Sequence, residues 1–255
     1  MNLNTETKRK LREMAAGDLL TAFEAQDDVV SMSLSVEARI ELAVDQAHGL
    51  FMNTKTHGLV RRAKLRYPNA KLRYPNADLR TVDRVEERGL NQALLAQLAT
   101  CHFIELNRNL VFQGFTGSGK SYLACAVAKH ACTHRYRTGY VRMPDLEEEW
   151  QQAINKPLGQ PKLLRKYANY SVLVLDEWLL DPPTGEFTRF IFELMERRYD
   201  AASTIFCTQY KQSDWHARLG ADAMADAIMD RIVHNTIWGE TGEFNMREAY
   251  SRAQH

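Results

Sequence analysis

Eight consecutive residues, Gly114–Ser121, have the types and spacing of a phosphate-binding loop. They spell GFTGSGKS and fit the pattern G-x-x-x-x-G-K-[ST] at every defined position. The apolar run NLVFQ precedes them and the helix-like run YLACAVAKHA follows, which is the strand, loop and helix setting that the motif requires. Glycines let backbone N–H groups turn inward around a phosphate, and the helix start adds positive dipole. The residues predicted to bind a nucleotide are Gly114, Thr116, Gly117, Ser118, Gly119, Lys120, Ser121 and Tyr122.

Two carboxylates at the end of a second apolar run complete this predicted chemistry. The apolar run VLVL is followed directly by Asp176 and Glu177. In a phosphate-loop protein, Lys120 reaches the β and γ phosphates, while Ser121 and Asp176 hold Mg²⁺. Glu177 points differently from its neighbour and is placed to polarise an attacking water. We therefore predict a nucleoside triphosphate and Mg²⁺ as ligands and hydrolysis as the reaction. The alternative, that both carboxylates only cap a strand at the surface, is disfavoured.

Other nucleotide-binding classes fit the sequence less well. A GTPase would show an Asn-Lys-x-Asp guanine reader, and the one Asn-Lys pair, in 155–158 (NKPL), lacks the acid. A small-molecule kinase is disfavoured because adjacent Asp176 and Glu177 suit water activation better than transfer to a bound acceptor. Thr208 and Gln209 follow a further apolar run and could hydrogen-bond a γ phosphate or the water beside it.

Arg231 lies near the end of an amphipathic helical pattern, DAIMDRIVH. Its positive charge fits the C-terminal end of a helix dipole. It also fits an arginine finger, which stabilises γ-phosphate charge and usually comes from a neighbouring subunit. The residue pattern alone leaves both roles open.

The elements that must position these residues alternate between strand and helix. Short apolar runs at Leu110–Phe112, Gly139–Val141, Val172–Leu175 and Ile205–Cys207 are separated by segments of helix length. This alternation predicts an α/β fold with a parallel sheet covered on both faces. Such sheets bind ligands at the carboxyl ends of their strands, which is where the motifs fall. Apolar residues at helical spacing over residues 8–52 predict helices before the sheet.

A nearly neutral chain contains one strongly basic segment. The 255 residues hold 33 Lys and Arg against 32 Asp and Glu, a formal net charge of +1. The basic segment, residues 55–80, has eight basic residues and one acidic residue, which gives +7. It contains the heptapeptide AKLRYPN twice in tandem, and the proline in each copy predicts turns. Its charge and tyrosines favour backbone-directed nucleic-acid binding over a solvated face. The candidate DNA-binding residues are Arg61, Arg62, Lys64, Arg66, Lys71 and Arg73.

Composition excludes several other classes of protein. With 45% hydrophobic and 25% charged residues, the chain is neither disordered nor collagen-like nor disulfide-rich. No run approaches the roughly 18 apolar residues of a membrane span, so we expect no membrane partner and a cytoplasmic protein. The four cysteines lack a metal or redox spacing, which predicts reduced core thiols and no zinc site. His130 and His134 have i, i+4 spacing without the acid of H-E-x-x-H, which favours structural roles.

The combination of motifs resembles one known family. The strings GFTGSGKSYLACAVAKHA, VRMPDL, LLRKYANYSVLVLDEW, TQYKQSDWH and DAIMDRIVHN are similar to those of IstB-like ATP-binding proteins. These are AAA+ helpers of insertion-sequence transposases and relatives of the DnaC helicase loaders. The resemblance implies a P-loop AAA+ sheet preceded by a small helical domain. It also implies an ATPase that forms a homo-oligomer on double-stranded DNA and stimulates an integrase-type transposase.

The resemblance also implies roles for individual residues and a division of the chain. Arg231 matches the arginine finger of the family, and Gln209 or Thr208 matches its first sensor. Arg247 lies near the position at which family members carry a C-terminal arginine that senses nucleotide. The expected division is a helical domain over 1–54, a basic linker over 55–84 and the AAA+ domain over 85–255. Two alternatives stay open, namely a DnaC-like helicase loader and a DNA scaffold that holds nucleotide with little turnover.

Overall fold

The computed structural model describes residues 3–26, 33–66, 90–183, 185–242, 244–246 and 248. The chain divides into two compact units, residues 1–58 and residues 59–255. The first unit is helical, as its apolar spacing predicts, and no described helix has the length and apolar character of a membrane span. The helices that begin in it are α1 (Thr5–Glu13), α2 (Gly17–Glu24) and α3 (Val36–Ala63).

Polar side chains cap two of these helices. Asn4 accepts a hydrogen bond from the Thr7 N–H at 2.8 Å, and Ser35 accepts one from the Ala38 N–H at 3.2 Å. Each cap satisfies a backbone donor that has no partner within its own helix. Helix α3 continues to Ala63, so the start of the expected linker at residue 55 lies inside a helix. The tandem repeat falls outside the described residues, apart from its first four.

A five-stranded parallel sheet forms the centre of the second unit. Its order is β2-β3-β4-β1-β5, and each neighbouring pair is parallel. The strands are β1 (Asn109–Gln113), β2 (Thr138–Arg142), β3 (Val172–Asp176), β4 (Ser203–Thr208) and β5 (Thr236–Glu240). The helices are α4 (Gln92–Ala99), α5 (His102–Glu105), α6 (Lys120–Thr133), α7 (Met143–Ile154), α8 (Gly159–Ala168), α9 (Gly185–Arg198), α10 (Gln212–Arg218) and α11 (Ala223–Val233).

Hydrophobic layers cover both faces of the sheet, as the unbroken apolar runs predict. Leu173, Leu175 and Phe206 belong to one layer, which includes residues of α7–α11. Val172 and Val174, from the same strand β3, belong to the opposite layer with α4, α5 and α6. Because successive strand residues point to opposite faces, a sheet buried on both sides needs apolar residues at every position. The four predicted strands are confirmed, and β5 was not predicted.

A buried arginine joins the amino ends of two strands. The guanidinium of Arg198 is 2% exposed, and every contact it makes is with an uncharged oxygen. Burial lowers the pKa of this group. Its five hydrogen bonds compensate for the lost hydration. The acceptors are Thr204 Oγ1 and the carbonyls of Tyr167, Ala168, Tyr170 and Ser203.

Candidate nucleotide site

The predicted phosphate loop connects β1 to α6 at the carboxyl end of the sheet. Gly117 and Gly119 have φ values of +96° and +91°, a conformation that residues with a Cβ rarely adopt. Gly119 is also the N-cap of α6, so the loop leads directly into the first helical turn. The Lys120 ammonium donates hydrogen bonds of 2.7 Å to the carbonyls of Gly114 and Phe115. The Lys120 side chain therefore folds over the phosphate loop and contacts its first two residues.

Ser121 and Asp176 meet directly, although 55 residues separate them in the sequence. The Ser121 hydroxyl donates to Asp176 Oδ1 at 2.9 Å, and the Glu177 N–H donates to the same oxygen at 2.9 Å. Asp176 is 2% exposed. A hydroxyl beside a carboxylate is the oxygen donor set that Mg²⁺ uses in phosphate-loop proteins. These residues therefore fit the predicted metal.

Tyr140 holds the other oxygen of Asp176. Its hydroxyl donates to Asp176 Oδ2 at 2.6 Å. Burial, and then the negative charge of Asp176, raises the pKa of Tyr140 well above its usual value, so this hydroxyl stays a donor. Sequence analysis missed Tyr140. The available indication was its position near the carboxyl end of β2, which pairs with β3 through Tyr140 and Val174.

Glu177 is flanked by two guanidinium groups. Arg142 Nε donates to Glu177 Oε2 at 3.0 Å, and Arg66 Nη1 lies 3.5 Å from Glu177 Oε1. Arg66 Nη1 also lies 3.3 Å from Asp176 Oδ2. Glu177 has a φ of +57°, which turns the chain directly after the strand. Its side chain keeps 24% exposure, so this carboxylate is open to water whereas that of Asp176 is not.

Gln209 contacts the phosphate loop, as the sensor interpretation requires. Thr116 Oγ1 donates to Gln209 Oε1 at 3.0 Å. Thr208 is 1% exposed and its hydroxyl accepts from the Tyr210 N–H at 3.1 Å, so it serves the turn after β4. Of the two candidates, Gln209 is therefore the residue that lies beside the loop.

A segment after β5 packs on the phosphate loop, and sequence analysis missed this contact. The buried hydroxyls of Ser118 and Thr241 lie 2.6 Å apart, and Thr241 Oγ1 donates to the Gln113 carbonyl at 3.1 Å. The Met246 N–H donates to the Gly117 carbonyl at 3.0 Å. The contact follows from the strand order, because β5 is the parallel neighbour of β1 and its end lies beside the loop. Arg247 lies outside the described residues.

Arg231 lies at the opposite end of the sheet from the phosphate loop. It lines a small cleft with Asn109 and Thr204, which begin or nearly begin β1 and β4. The five residues of β1 span about 16 Å, so Arg231 is remote from the loop of its own chain. It forms an ion pair with Glu196 and donates to the Ala227 carbonyl at 2.9 Å.

The six predicted DNA-binding residues separate into three groups. Arg61 and Arg62 end α3 and Lys64 follows it, and all three are exposed. Arg66 instead contacts Asp176 and Glu177, because two carboxylates at the sheet edge attract its guanidinium. Lys71 and Arg73 lie outside the described residues.

The sequence of this chain is similar to those of known insertion-sequence proteins. The family model described as "IstB-like ATP binding protein" matches residues 9–253. Two proteins of Sinorhizobium fredii (strain NBRC 101917 / NGR234) carry names as insertion sequence ATP-binding proteins. One of them, y4uH, is 31% identical over 99% of this chain and 98% of its own. The other, y4pL, is 38% identical over 90% of each chain.

The fold is similar to that of a solved protein. The crystal structure of DnaI superposes with a TM-score of 0.54 at 20% identity, over 68% of this chain and 91% of that one. At this identity the likeness shows the fold alone, and the family assignment depends on the match along the sequence. The chain belongs to the IstB-like ATP-binding protein family.

Proposed function

We propose that this protein hydrolyses ATP as a homo-oligomer on double-stranded DNA and so assists an integrase-type transposase. The observation that carries the proposal is the contact between Ser121 and Asp176 beneath the phosphate loop, with Glu177 one residue beyond. The family and its insertion-sequence relatives support ATP and the transposase as partners. Ser121 and Asp176 would hold Mg²⁺, which neutralises phosphate charge when bound.

The chain's own residues have separate tasks in this proposal. Lys120 binds the β and γ phosphates after leaving the carbonyls of Gly114 and Phe115. Glu177 orients the attacking water, since its carboxylate is the one that water can reach. Gln209 lies beside Thr116 and would hydrogen-bond the γ phosphate or that water. Tyr140 fixes the plane of the Asp176 carboxylate and is a positioning residue.

Arg231 supports a site completed by a neighbouring subunit. It is too far from the loop of its own chain to contact that nucleotide, and its side chain is 24% exposed in the last turn of α11. An arginine finger that acts on the nucleotide of a neighbouring subunit would need to lie away from the loop of its own chain. Assembly would then be part of catalysis, and the rate per subunit would rise with protein concentration.

Exposed cations at the end of α3 support the proposed DNA contact. Arg61, Arg62 and Lys64 are adjacent and solvent-exposed, so they can neutralise phosphates. Replacing all three with Ala should reduce the salt dependence of duplex binding by about three phosphate contacts, a change of about 2.7 in the slope of log K against log[salt]. Arg189→Ala and Arg197→Ala, which change exposed arginines of α9, are the matched controls. An unchanged slope would place the DNA contact elsewhere.

The main test is phosphate release at several protein concentrations, with and without duplex DNA. We expect the rate to rise with both and to vanish in Lys120→Ala, whereas Glu177→Gln should bind ATP without turnover. ATP binding without phosphate release under any DNA condition would support a scaffold and refute hydrolysis. A rate independent of both protein and DNA would refute an assembled site.

Mixing two inactive variants tests the role of Arg231 directly. Lys120→Ala retains the finger and Arg231→Ala retains the phosphate loop. In a random mixture about a quarter of the interfaces combine both intact parts, so about a quarter of wild-type activity should return. Arg189→Ala should be fully active alone, because Arg189 is an exposed arginine paired within α9. No recovery on mixing would show that Arg231 does not act across subunits.

A further inference from the structure

Three side chains with metal-binding atoms meet at the far end of the helix that follows the phosphate loop. Cys101 lies in the turn between α4 and α5, His130 in the last turn of α6, and His134 directly after α6. The Cys101 sulfur and one ring nitrogen from each histidine lie within 4.8 Å of one another. Helix α6 is about 21 Å long, so this cluster is separate from the nucleotide site at its other end.

The hydrogen bonds of the two histidines leave a lone pair on each ring. His130 Nε2 lies 2.8 Å from the Ala99 carbonyl, and His134 Nδ1 lies 3.2 Å from the His130 carbonyl. A carbonyl oxygen only accepts, so these two nitrogens are the donors, and in a neutral ring the other nitrogen has a lone pair. Metal-binding histidines commonly donate their second N–H to a backbone carbonyl in this way. Each neutral ring therefore has one nitrogen that can bind a cation.

The thiol of Cys101 completes a sulfur and nitrogen donor set. Cys101 is 2% exposed, and burial, followed by the charge of Glu105, raises its pKa to about 11. A bound cation reverses this preference, because a coordinating thiol loses its proton. The charged and titratable groups around it, besides the two histidines, are Glu105, with His102 on its Oε2 at 2.9 Å, and the Tyr136 hydroxyl.

We propose that Cys101, His130 and His134 bind one Zn²⁺ ion, with water at the fourth position. One thiolate and two imidazoles suit Zn²⁺, which binds sulfur at about 2.3 Å and nitrogen at about 2.0–2.1 Å in tetrahedral geometry. Those distances place the ligand atoms about 3.4–3.6 Å apart, so the cluster needs to contract by little more than an ångström. Small side-chain rotations supply that movement. The ion would link the end of α6 to the turn before α5. Its binding would release the proton of the Cys101 thiol.

The test uses full-length, tag-free protein that has been stripped with a chelator. We expect one equivalent of Zn²⁺ per chain by elemental analysis and a higher midpoint of thermal unfolding with Zn²⁺. With Co²⁺ we expect a tetrahedral visible spectrum and a thiolate-to-cobalt charge-transfer band. His134→Gln changes an exposed ring and should fold normally, yet bind Zn²⁺ at least about 100-fold more weakly, since even a lost outer-shell partner costs 10–100-fold.

Two control variants separate this site from other histidines and thiols. Cys101→Ala should lose the charge-transfer band. Cys132→Ala, which removes a buried thiol of α6, should keep it. His102→Gln, an exposed histidine in α5, should bind like the wild type. Absence of stoichiometric binding in the wild type, or unchanged affinity in His134→Gln, would overturn the proposal. ATP binding and hydrolysis are measured separately, so either proposal can fail without the other.

Discussion

Removing the Tyr140 hydroxyl isolates one contact of the nucleotide site. Tyr140→Phe deletes a single oxygen from a half-buried ring and leaves the ring's packing unchanged. A hydrogen bond to a charged group contributes about 1.5–3 kcal/mol to stability. Asp176 keeps the donors of Ser121, Glu177 and Arg66, so we expect a loss of about 1.5 kcal/mol in the free energy of unfolding.

The same change should weaken the dependence of nucleotide binding on Mg²⁺. Without the Tyr140 hydroxyl, Asp176 Oδ2 keeps the longer contact from Arg66 at 3.3 Å, so the carboxylate can rotate more freely and its Oδ1 is less well oriented beside Ser121. Loss of such an outer partner typically costs 10–100-fold in metal affinity. We therefore expect a 10–100-fold higher Mg²⁺ concentration at half-maximal binding of a fluorescent ATP analogue. Binding in excess chelator should stay unchanged, because the hydroxyl that is removed donates to Asp176.

Tyr167→Phe provides a matched control. The Tyr167 hydroxyl also donates to a carboxylate, Glu149 Oε2 at 3.0 Å, and its residue is 3% exposed. It belongs to α8, away from the phosphate loop, so its loss should reduce stability without changing the Mg²⁺ requirement. Urea unfolding and Mg²⁺ titration of both variants give the comparison. If Tyr140→Phe lost stability but kept the wild-type Mg²⁺ curve, Tyr140 would not position Asp176 for the metal.

Three further changes have expected outcomes. Arg66→Ala removes a partly exposed cation that competes with Mg²⁺ for the carboxylate of Asp176. The affinity for MgATP, measured by calorimetry, should therefore rise about two- to fivefold, and a fall would contradict this competition. Arg198→Met leaves its buried acceptors unsatisfied and should cost about 3–5 kcal/mol in urea unfolding, whereas exposed Arg197→Met should cost under about 0.5 kcal/mol. Burial raises the pKa of Cys101 to about 11, so the folded state keeps a proton that the unfolded chain releases above its own pKa of about 9. Metal-free wild type should therefore lose up to about 1.4 kcal/mol per pH unit relative to Cys101→Ala from pH 9 to 11, and parallel curves would contradict this.

The sequence predicted the parts of the fold that depend on local pattern. The unbroken apolar run Val172–Leu175 could only be a strand buried on both faces, and it is β3. The loop Gly114–Ser121 has a fixed local geometry, so its place between β1 and α6 followed from the motif. Strand β5 (Thr236–Glu240) was missed because it is an edge strand of intermediate burial, without an unbroken apolar run.

Contacts that depend on strand order could not be predicted. Tyr140 reaches Asp176 only because β2 is the neighbour of β3, and Thr241 reaches the loop only because β5 is the neighbour of β1. Charge content placed Arg66 with the DNA-binding residues, whereas a contact between residues far apart in the sequence brings it to two carboxylates. Cysteine spacing gave no indication that Cys101 meets two histidines of α6, since folding alone brings them together.

A structure of the protein with Mg²⁺ and a non-hydrolysable ATP analogue is the most direct measurement of how the nucleotide is held. We predict that the Lys120 ammonium leaves the carbonyls of Gly114 and Phe115 and contacts the terminal phosphates. The Mg²⁺ ion should contact Ser121 Oγ and lie within one water of Asp176. Nucleotide bound elsewhere at saturating concentration, or a Mg²⁺ ion remote from both Ser121 and Asp176, would contradict this account.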